Sequence, residues 1–286
     1  MTFCYINGSF QEKSDATISI EDRGFNFSDG VYEVMAYCDK TILNFSKHLK
    51  RLDSSLKKLQ IPQPLANKNS LKLILKKLID LNRLNDGYIY LQITRGNARR
   101  NHLFPDVVSP NFVIFTFSLN VDNANILRGV NIGLTNDLRW SRCDIKSISL
   151  LPNVLEKQKA FENGFYEYWQ IRDNLITEGS TSNAFIVNKN NKIRTHPSNN
   201  FILGGVTRDS VIEIAKKSKF SVIEKGFTTR DLDSCEEAFL TSTTVGVLPV
   251  VKFENKKIND GKPGKITKLL IKKYNDHLKN QINEKN

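Results

Sequence analysis

One lysine of the chain has surroundings that suit covalent chemistry. Lys146 lies in RWSRCDIKSISLLPN, a stretch of strand and turn character that continues in apolar residues. This setting predicts a half-buried amine, and burial favours the neutral lysine that attacks a carbonyl carbon to form a Schiff base. For any single lysine an ordinary surface position is the commoner explanation, so Lys146 needs support from the rest of the chain.

Three other segments offer a carboxylate and groups that bind an anion. Glu178, in LITEGSTSNAF, lies at the end of a predicted strand beside a hydroxyl-rich turn, where its carboxylate faces either a cleft or water. GGVTRDSV places two glycines and Thr207 before a predicted helix, whose first N–H groups can bind a phosphate. LTSTT ends an apolar strand with hydroxyls that suit the same anion. A capped helix start and a Thr-rich strand edge are the structural alternatives.

A basic loop follows one of the apolar segments. ITRGNARRNH concentrates Arg95, Arg99, Arg100 and His102 directly after a predicted buried strand. A guanidinium fork in such a loop can bind a carboxylate, although basic loops are also common without that role.

The first 119 residues predict a small α/β domain. Its predicted strands are FCYINGSF, ATISIED, VYEVMAYC, TILNF, GYIYLQITRG and NFVIFTFSL. Two predicted helices are FSKHLKRLDSSLKKLQ, whose apolar stripe is Leu49, Leu52, Leu56 and Leu59, and NKNSLKLILKKLIDLN, which opens with Asn and Ser as capping residues. The polar stretch NVDNANILRG is the predicted linker, which puts the domain boundary near residue 120.

Residues 120–286 predict a larger domain. The predicted strands are VNIGLTND, YEYWQI, NAFIVN, SVIEKGF and EAFLTST, and the predicted helices are PNVLEKQKAFENG, TRDSVIEIAKKSK and GKITKLLIKKYNDHLKNQINEKN, the last with a frayed tail. Thr207 or Asp209 is the predicted cap of the second helix. The order lacks the regular strand and helix alternation of a doubly wound sheet.

Composition excludes several classes of protein. The chain has 286 residues, 40% of them hydrophobic and 25% charged, which favours a globular enzyme over a disordered chain. Its four cysteines lack CxxC spacing, so we expect neither a metal site nor disulfides. The absence of a leader and of a long apolar run predicts a cytoplasmic protein. A net charge of +12 allows a nucleic-acid-binding module, but the lysines are scattered over helices rather than concentrated.

These segments occur in one order that resembles a known family. From about residue 5 to residue 270 the chain is similar to the class IV aminotransferases, the fold type IV pyridoxal 5′-phosphate enzymes, and within them to the bacterial D-amino acid aminotransferases. The strings that carry the resemblance are EDRGFNFSDGVYEV, HLKRL, YLQITRG, RWSRCDIKS, TEGSTSN, THPSNNFILGGVTRD and LTSTT.

The resemblance implies a fold and a cofactor site. The fold is a small N-terminal α/β domain and a larger C-terminal domain with a β-barrel, which carries the lysine, and the cofactor lies in the cleft between them. Lys146 would hold pyridoxal phosphate as a Schiff base and move the substrate α-proton, while Glu178 would pair with the pyridine nitrogen. Leu203 would pack against the ring. The phosphate would be held by Arg51, Val206, Thr207, Ser242 and Thr243.

The resemblance also implies a substrate class. Tyr32, Arg100 and His102 match the residues that bind the substrate carboxylate in D-amino acid aminotransferases. The implied reaction is ping-pong transfer from a D-amino acid such as D-alanine to a 2-oxo acid such as 2-oxoglutarate, by a homodimer. Branched-chain aminotransferases commonly have a tyrosine where this chain has Leu151, and they lack the Arg-x-His pair. They and aminodeoxychorismate lyase are the enzymatic alternatives, and a nucleic-acid-binding module is the non-enzymatic one.

Two positions depart from the D-amino acid pattern. Arg99 is an additional arginine before the Arg-x-His pair, and we expect it to alter the preference among acidic and neutral substrates. Thr181 replaces a serine after Glu178, which we expect to be a mild change near the cofactor.

Overall fold

The computed structural model describes residues 1–65, 67–118 and 123–284. Contacts divide the chain into two compact units. The first unit comprises Met1–Asn120, Ile145–Ser149 and Gln281–Asn286, and the second comprises Val121–Asp144 and Leu150–Asn280. Lys146 therefore belongs to the first unit by its contacts. The predicted boundary at residues 119 and 120 lies outside the described residues and stays a prediction.

The first unit contains an antiparallel six-stranded sheet. Its strands are β1 (Phe3–Ile6), β2 (Ser9–Glu12), β3 (Gly30–Cys38), β4 (Thr41–Ile42), β5 (Gly87–Thr94) and β6 (Asn111–Ser118), in the order β2-β1-β6-β5-β3-β4. Alternation in β3 turns Val31, Glu33 and Met35 into the core, while Tyr32 and Val34 lie on the opposite face and are half-buried. The sheet thus sends one carboxylate, Glu33, to its apolar side.

Helices α2 (Phe45–Leu59) and α3 (Lys68–Asn82) cover the apolar side of this sheet. The short helix α1 (Arg23–Phe27) precedes β3. The predicted stripe of α2 is confirmed, since Leu49, Leu52 and Leu56 are buried and Leu59 packs partly buried against the same core. Asn67 caps α3 by accepting the Ser70 N–H at 2.9 Å, as the sequence predicts.

The predicted strand ATISIED is wrong. Residues 16–21 form no strand, and Ile20 is 80% exposed, so no sheet face is available to bury the alternating apolar residues. Asp22, which closes the segment, instead caps α1 by accepting the Phe25 N–H at 3.2 Å. Its second oxygen accepts from Asn111 at 2.6 Å, so a polar network rather than a strand ladder fixes this part of the chain.

The second unit is built around a nine-stranded mixed sheet. The strands are β7 (Val130–Asn136), β8 (Tyr168–Arg172), β9 (Leu175–Gly179), β10 (Asn183–Val187), β11 (Ile193–Thr195), β12 (Val222–Glu224), β13 (Glu237–Ser242), β14 (Gly246–Phe253) and β15 (Lys256–Lys257). The main path runs β12-β11-β10-β13-β14-β7-β8-β9. The Gly179 N–H donates to the Ser182 carbonyl at 2.8 Å, which brings the edge strand β9 beside β10. The sheet therefore curls upon itself, and the predicted mixed α/β fold is confirmed.

Helices of the second unit are α4 (Asn123–Arg128), α5 (Leu151–Glu162), α6 (Val206–Lys217), α7 (Thr229–Asp233) and α8 (Lys265–Asn283). Helix α4 occupies most of the predicted polar linker, whose residues 120–122 lie outside the described residues. The predicted cap of α6 is wrong, because Gly205 is the N-cap and Thr207 is inside the helix, 2% exposed. The predicted frayed tail is helical to Asn283, and residues 285–286 are not described. No helix in the described ranges is long and apolar enough to cross a membrane.

Candidate active site

The backbone around Lys146 is held against β3 and α2. The Lys146 carbonyl accepts the Tyr32 N–H at 3.0 Å, and the Ile148 N–H donates to the Gly30 carbonyl at 3.1 Å. The Lys146 N–H donates to Ser55 Oγ at 3.1 Å, and Ser55 is 1% exposed. These bonds fix the backbone of the lysine.

The Lys146 amine lies over an aromatic ring. Its Nζ is 4.0 Å from the centroid of Tyr32, and that ring stacks on Tyr90 at 5.7 Å, which stacks on Phe115 at 4.9 Å. Tyr90 donates its hydroxyl to Gln92 Oε1 at 2.6 Å, which fixes the middle ring. The half-buried amine therefore lies on the face of the sheet that is opposite the core. There it contacts Tyr32, which is predicted to bind substrate.

Arg51 pairs with the buried carboxylate of Glu33. Its Nε and Nη2 donate to the two oxygens of Glu33 at 2.7 and 2.8 Å, and Glu33 Oε2 is also 2.8 Å from Nδ1 of His48. Burial would raise the pKa of Glu33, but the Arg51 charge and the hydrogen bonds from Arg51 and His48 outweigh it and lower that pKa to about 2. Burial lowers the pKa of His48, so this ring is neutral near pH 7. Glu33 is therefore the anion that balances Arg51.

Glu178 is buried among hydrogen-bond donors. Arg139 donates through Nη1 to Glu178 Oε1, Asn183 donates to Oε2 at 3.0 Å, and the Leu203 N–H is 3.1 Å from both oxygens. Burial raises the pKa of Glu178 to about 7, although the Arg139 charge and hydrogen bond oppose this. Near neutral pH, the charge of Glu178 therefore depends on the groups that surround it.

The start of α6 lies next to Glu178. Asn183 Nδ2 also donates to the Leu203 carbonyl at 2.8 Å, and a Cβ added to Gly205 would collide with the Asn183 amide oxygen. The first helical bond of α6 runs from the Asp209 N–H to the Gly205 carbonyl, so the earlier N–H groups, including those of Val206 and Thr207, point away from the helix. Backbone N–H groups and a glycine in close approach form a suitable cradle for an anion.

A hydroxyl-rich turn joins β13 to β14 in the same unit. Ser242 Oγ is 3.1 Å from Thr244 Oγ1, and Thr243 is half-buried in the turn. Tyr274 of α8 connects this turn to α6, because its hydroxyl is 3.4 Å from Thr207 Oγ1 and its ring is 3.3 Å from the position of a Cβ on Gly246. The two predicted phosphate segments are thus braced by one side chain.

Arg100 and His102 gather around Phe27 of α1. The Arg100 guanidinium carbon is 5.1 Å from the centroid of Phe27, and the His102 ring centroid is 5.4 Å from it. Buried Arg23 donates to the Asn101 carbonyl at 2.6 Å and fixes the loop between them. Both predicted substrate residues are exposed, whereas Tyr32 lies in the different set of contacts around Lys146.

The departures from the D-amino acid pattern also have definite places. Thr181 is exposed, but its N–H and hydroxyl donate to Glu167 Oε2 at 3.2 and 3.1 Å. Glu167 is 0% exposed and braces the turn that follows Glu178. Arg99 is exposed beside Arg100.

Several residues of the site escaped sequence reasoning. Those of the first unit are Glu33, His48 and Ser55, and those of the second unit are Asp137, Arg139, Asn183 and Tyr274. A carboxylate at an inward position of an alternating strand was a usable signal for Glu33. Arg139 stands in RWSRCDIKS, but nothing local in that string indicates Glu178 as its partner.

Comparisons with known proteins identify the family and the fold of the chain. Residues 30–253 match the family described as amino-transferase class IV. The chain is 39% identical over 262 residues to D-alanine aminotransferase from Bacillus licheniformis, covering 92% of each chain. It is 38% identical to D-alanine aminotransferase from Staphylococcus aureus (strain N315), covering 96% of this chain and 97% of the relative. A branched-chain amino acid aminotransferase from T.th., solved with pyridoxamine 5′-phosphate, has the same fold, with a TM-score of 0.89 at 23% identity and coverage of 98% and 95%.

Proposed function

Since the chain belongs to the class IV aminotransferases, we propose that it transfers the amino group of a D-amino acid, such as D-alanine, to a 2-oxo acid, such as 2-oxoglutarate. The observation that carries the proposal is the Lys146 amine 4.0 Å from the ring of Tyr32, which puts a reactive amine beside a residue suited to bind substrate. The relatives at 38–39% identity named D-alanine aminotransferase support the D-amino acid class.

The side chains fit pyridoxal 5′-phosphate. A phosphorylated pyridine needs an acceptor for its ring N–H and donors for its phosphate, and the second unit supplies both in neighbouring segments, with Glu178 as the buried acceptor and the start of α6 as the donor. The close approach at Gly205 leaves no room for a side chain there. When bound, the cofactor supplies the aldehyde that takes up the amino group and the ring that stabilises negative charge at the substrate α-carbon.

Each residue has a defined task in this proposal. Lys146 would hold the cofactor covalently and carry the proton to and from the substrate α-carbon. Glu178 would accept a hydrogen bond from the ring nitrogen, and Leu203 would pack against the ring. The residues that would bind the phosphate are Arg51, Val206 and Thr207 through the first N–H groups of α6, and Ser242 and Thr243 in the turn. These donors would hold the cofactor while the Lys146 amine moves the proton.

The substrate carboxylate binds to Tyr32, Arg100 and His102. A guanidinium fork and a hydroxyl are suitable donors for a carboxylate, and the loop that carries Arg100 is fixed by Arg23. In ping-pong order, the first 2-oxo acid leaves before the acceptor binds.

The protein acts as a homodimer in this proposal. Helix α5 exposes four large apolar side chains on one face: Leu151 is 68% exposed, Val154 58%, Leu155 62% and Phe161 78%. Residues spaced three, four and seven apart share a helix face, and such a stripe on a soluble enzyme is stabilised by covering it with another chain.

The test is an absorbance titration of the purified protein with pyridoxal phosphate present. We expect a visible band that shifts on addition of D-alanine and not of L-leucine. A shift with L-leucine alone would assign the chain to the branched-chain group. Release of pyruvate from an aminodeoxy substrate without transfer of its amino group would identify a lyase. Absence of any visible band would overturn the proposal as a whole.

Two adjacent arginines provide a matched pair of variants for the carboxylate site. We expect Arg100→Ala to raise the KM for D-alanine more than about tenfold, because one charge-assisted contact of about 1.5–3 kcal/mol is lost. Arg99→Ala removes the same charge from the same exposed loop and should leave this KM within about twofold. Cofactor affinity should be unchanged in both variants. Equal KM values for the two would contradict the assignment of Arg100.

A further inference from the structure

Four buried or nearly buried charged side chains of the second unit form a chain of contacts in which the sign of the charge alternates. They are Arg172, Asp137, Arg139 and Glu178. Arg139 donates from Nε and Nη2 to the two oxygens of Asp137, each at 2.9 Å, and Asp137 Oδ1 is 3.3 Å from Arg172. The side chain of Asp137 is 0% exposed, and those of Arg139 and Glu178 are 6% exposed. When Glu178 is ionised, the two positive and two negative charges balance. Glu178 lies at one end of this chain of contacts and Arg172 at the other.

Arg139 is locked in one orientation. Its Nε and Nη2 form a fork on Asp137, Nη2 also donates to the Phe201 carbonyl at 3.2 Å, and Nη1 remains aimed at Glu178. A guanidinium has fixed planar geometry, so anchoring two of its nitrogens fixes the third. Asp137 therefore determines where the Arg139 charge lies relative to Glu178.

We infer that Arg139 is a positioning residue that keeps the buried Glu178 ionised and correctly oriented to accept a hydrogen bond from the ring nitrogen of the cofactor. The inference rests on the proposed function. A buried carboxylate without a compensating charge takes up a proton, and a protonated carboxyl group is a much weaker acceptor for a pyridinium N–H. Arg139 thus acts on the cofactor through Glu178 rather than by touching it.

The other groups that face Glu178 do not replace Arg139. Asp137 is anionic and would favour the protonated form of Glu178, and Cys143 is a neutral thiol near pH 7, since burial raises its pKa to about 11. Asn183 and the Leu203 N–H are uncharged donors. Burial raises the pKa of Glu178 to about 7 even with Arg139 in place, so loss of this guanidinium would leave the carboxyl group protonated at neutral pH.

The experiment compares cofactor binding in three variants. Arg139→Met removes the charge and keeps an extended side chain, Arg139→Lys keeps the charge, and Arg142→Met removes an exposed arginine of the same loop that pairs with Asp144 at 3.0 Å. Dissociation constants are measured by fluorescence titration with pyridoxal phosphate and with an analogue whose ring nitrogen is replaced by C–H. The analogue retains the aldehyde and the phosphate but has no N–H for Glu178.

We expect Arg139→Met to weaken binding of pyridoxal phosphate about tenfold or more and to leave binding of the analogue within about twofold. The rise of pyridoxal phosphate affinity with pH should move to higher pH, because Glu178 must ionise before it accepts. Arg139→Lys should recover most of the affinity, and Arg142→Met should match the unchanged protein.

Equal losses for both ligands in Arg139→Met would show a merely structural role and overturn the inference. If that variant does not fold, Asp137→Asn gives a second measurement. We expect this variant to lose part of the preference for pyridoxal phosphate over the analogue, by less than Arg139→Met. An unchanged preference would contradict the inference. If the unchanged protein binds neither ligand, the proposed function itself fails, which separates the two conclusions.

Discussion

The buried cluster of Glu33, Arg51 and His48 makes a quantitative prediction about stability. Glu33 is 1% exposed and is the carboxylate that balances Arg51, whose side chain is 13% exposed. Its pKa is lowered from the ordinary 4.5 to about 2. At about 1.36 kcal/mol per pKa unit, this corresponds to a stabilisation on the order of 3 kcal/mol. We expect Glu33→Gln to lower the free energy of unfolding at pH 7 by about this amount.

The pH dependence has a definite sign. Because the pKa of Glu33 is lower in the folded protein than in the unfolded chain, its stabilisation is complete above pH 4.5 and is lost as pH falls through 2. Between pH 5 and pH 3 this carboxylate accounts for a loss of about 2 kcal/mol. Glu33→Gln cannot titrate there, so the stability of the variant should fall by that much less over the same interval.

The measurement is urea unfolding at equal cofactor content, followed by circular dichroism at pH 7, 5 and 3. Asp80→Asn is the control, because Asp80 pairs with Lys40 at 2.9 Å where both side chains are more than half exposed, and such pairs contribute less than about 1 kcal/mol. A loss below about 1 kcal/mol in Glu33→Gln at pH 7, or an unchanged fall between pH 5 and pH 3, would refute the role of Glu33 as the balancing anion.

Other substitutions test other parts of the molecule. Gln170 is 0% exposed, and neither atom of its amide has a hydrogen-bond partner within the described ranges. Gln170→Leu should therefore raise the free energy of unfolding, measured in urea, by about 1–2 kcal/mol. A lower free energy of unfolding in the variant would show that an ordered water satisfies the amide. Tyr274→Phe removes only the hydroxyl near Thr207 and should weaken pyridoxal phosphate binding about threefold, as measured by fluorescence titration. In a protein that already carries Thr207→Val, the same substitution should have no further effect on binding. Additive losses of affinity would contradict the contact between the two hydroxyls. Leu155→Lys, in the apolar stripe of α5, should convert the proposed dimer to a monomer in light scattering, whereas Leu73→Lys at the 69% exposed position of α3 should not. A monomer in the unchanged protein would contradict the proposed dimer, and a dimer that Leu155→Lys leaves unchanged would contradict α5 as its interface.

Local pattern was sufficient for most elements of the fold. The spacing of Leu49, Leu52 and Leu56 predicted both helix α2 and its buried face, because a helix returns to the same side every three or four residues. Asn67 predicted the start of α3 for an equally local reason, since its side chain bonds a backbone group three residues away. Pattern failed at ATISIED, where alternating apolar residues had no neighbouring strand to pair with and Asp22 bonded to distant groups instead.

The candidate site divides in the same way. The motif strings named Lys146, Glu178 and the phosphate segments in advance, and the roles of these residues stay proposals. The partners that set their charges were out of reach of the sequence. Arg139 and Glu178 are 39 positions apart, and Arg51 and Glu33 are 18 apart.

The sequence by itself therefore determined most of the helices and strands, the buried face of α2, and which lysine and carboxylate stand in motif positions. Only the tertiary structure decided that Glu33 balances Arg51, that Asp137 orients Arg139, and that Arg139 faces Glu178. Periodicity records whether a side chain is buried, since burial follows from the geometry of one element. The ionisation of a buried acid depends on the charges within a few ångströms of it, and those charges come from elements that only folding brings together.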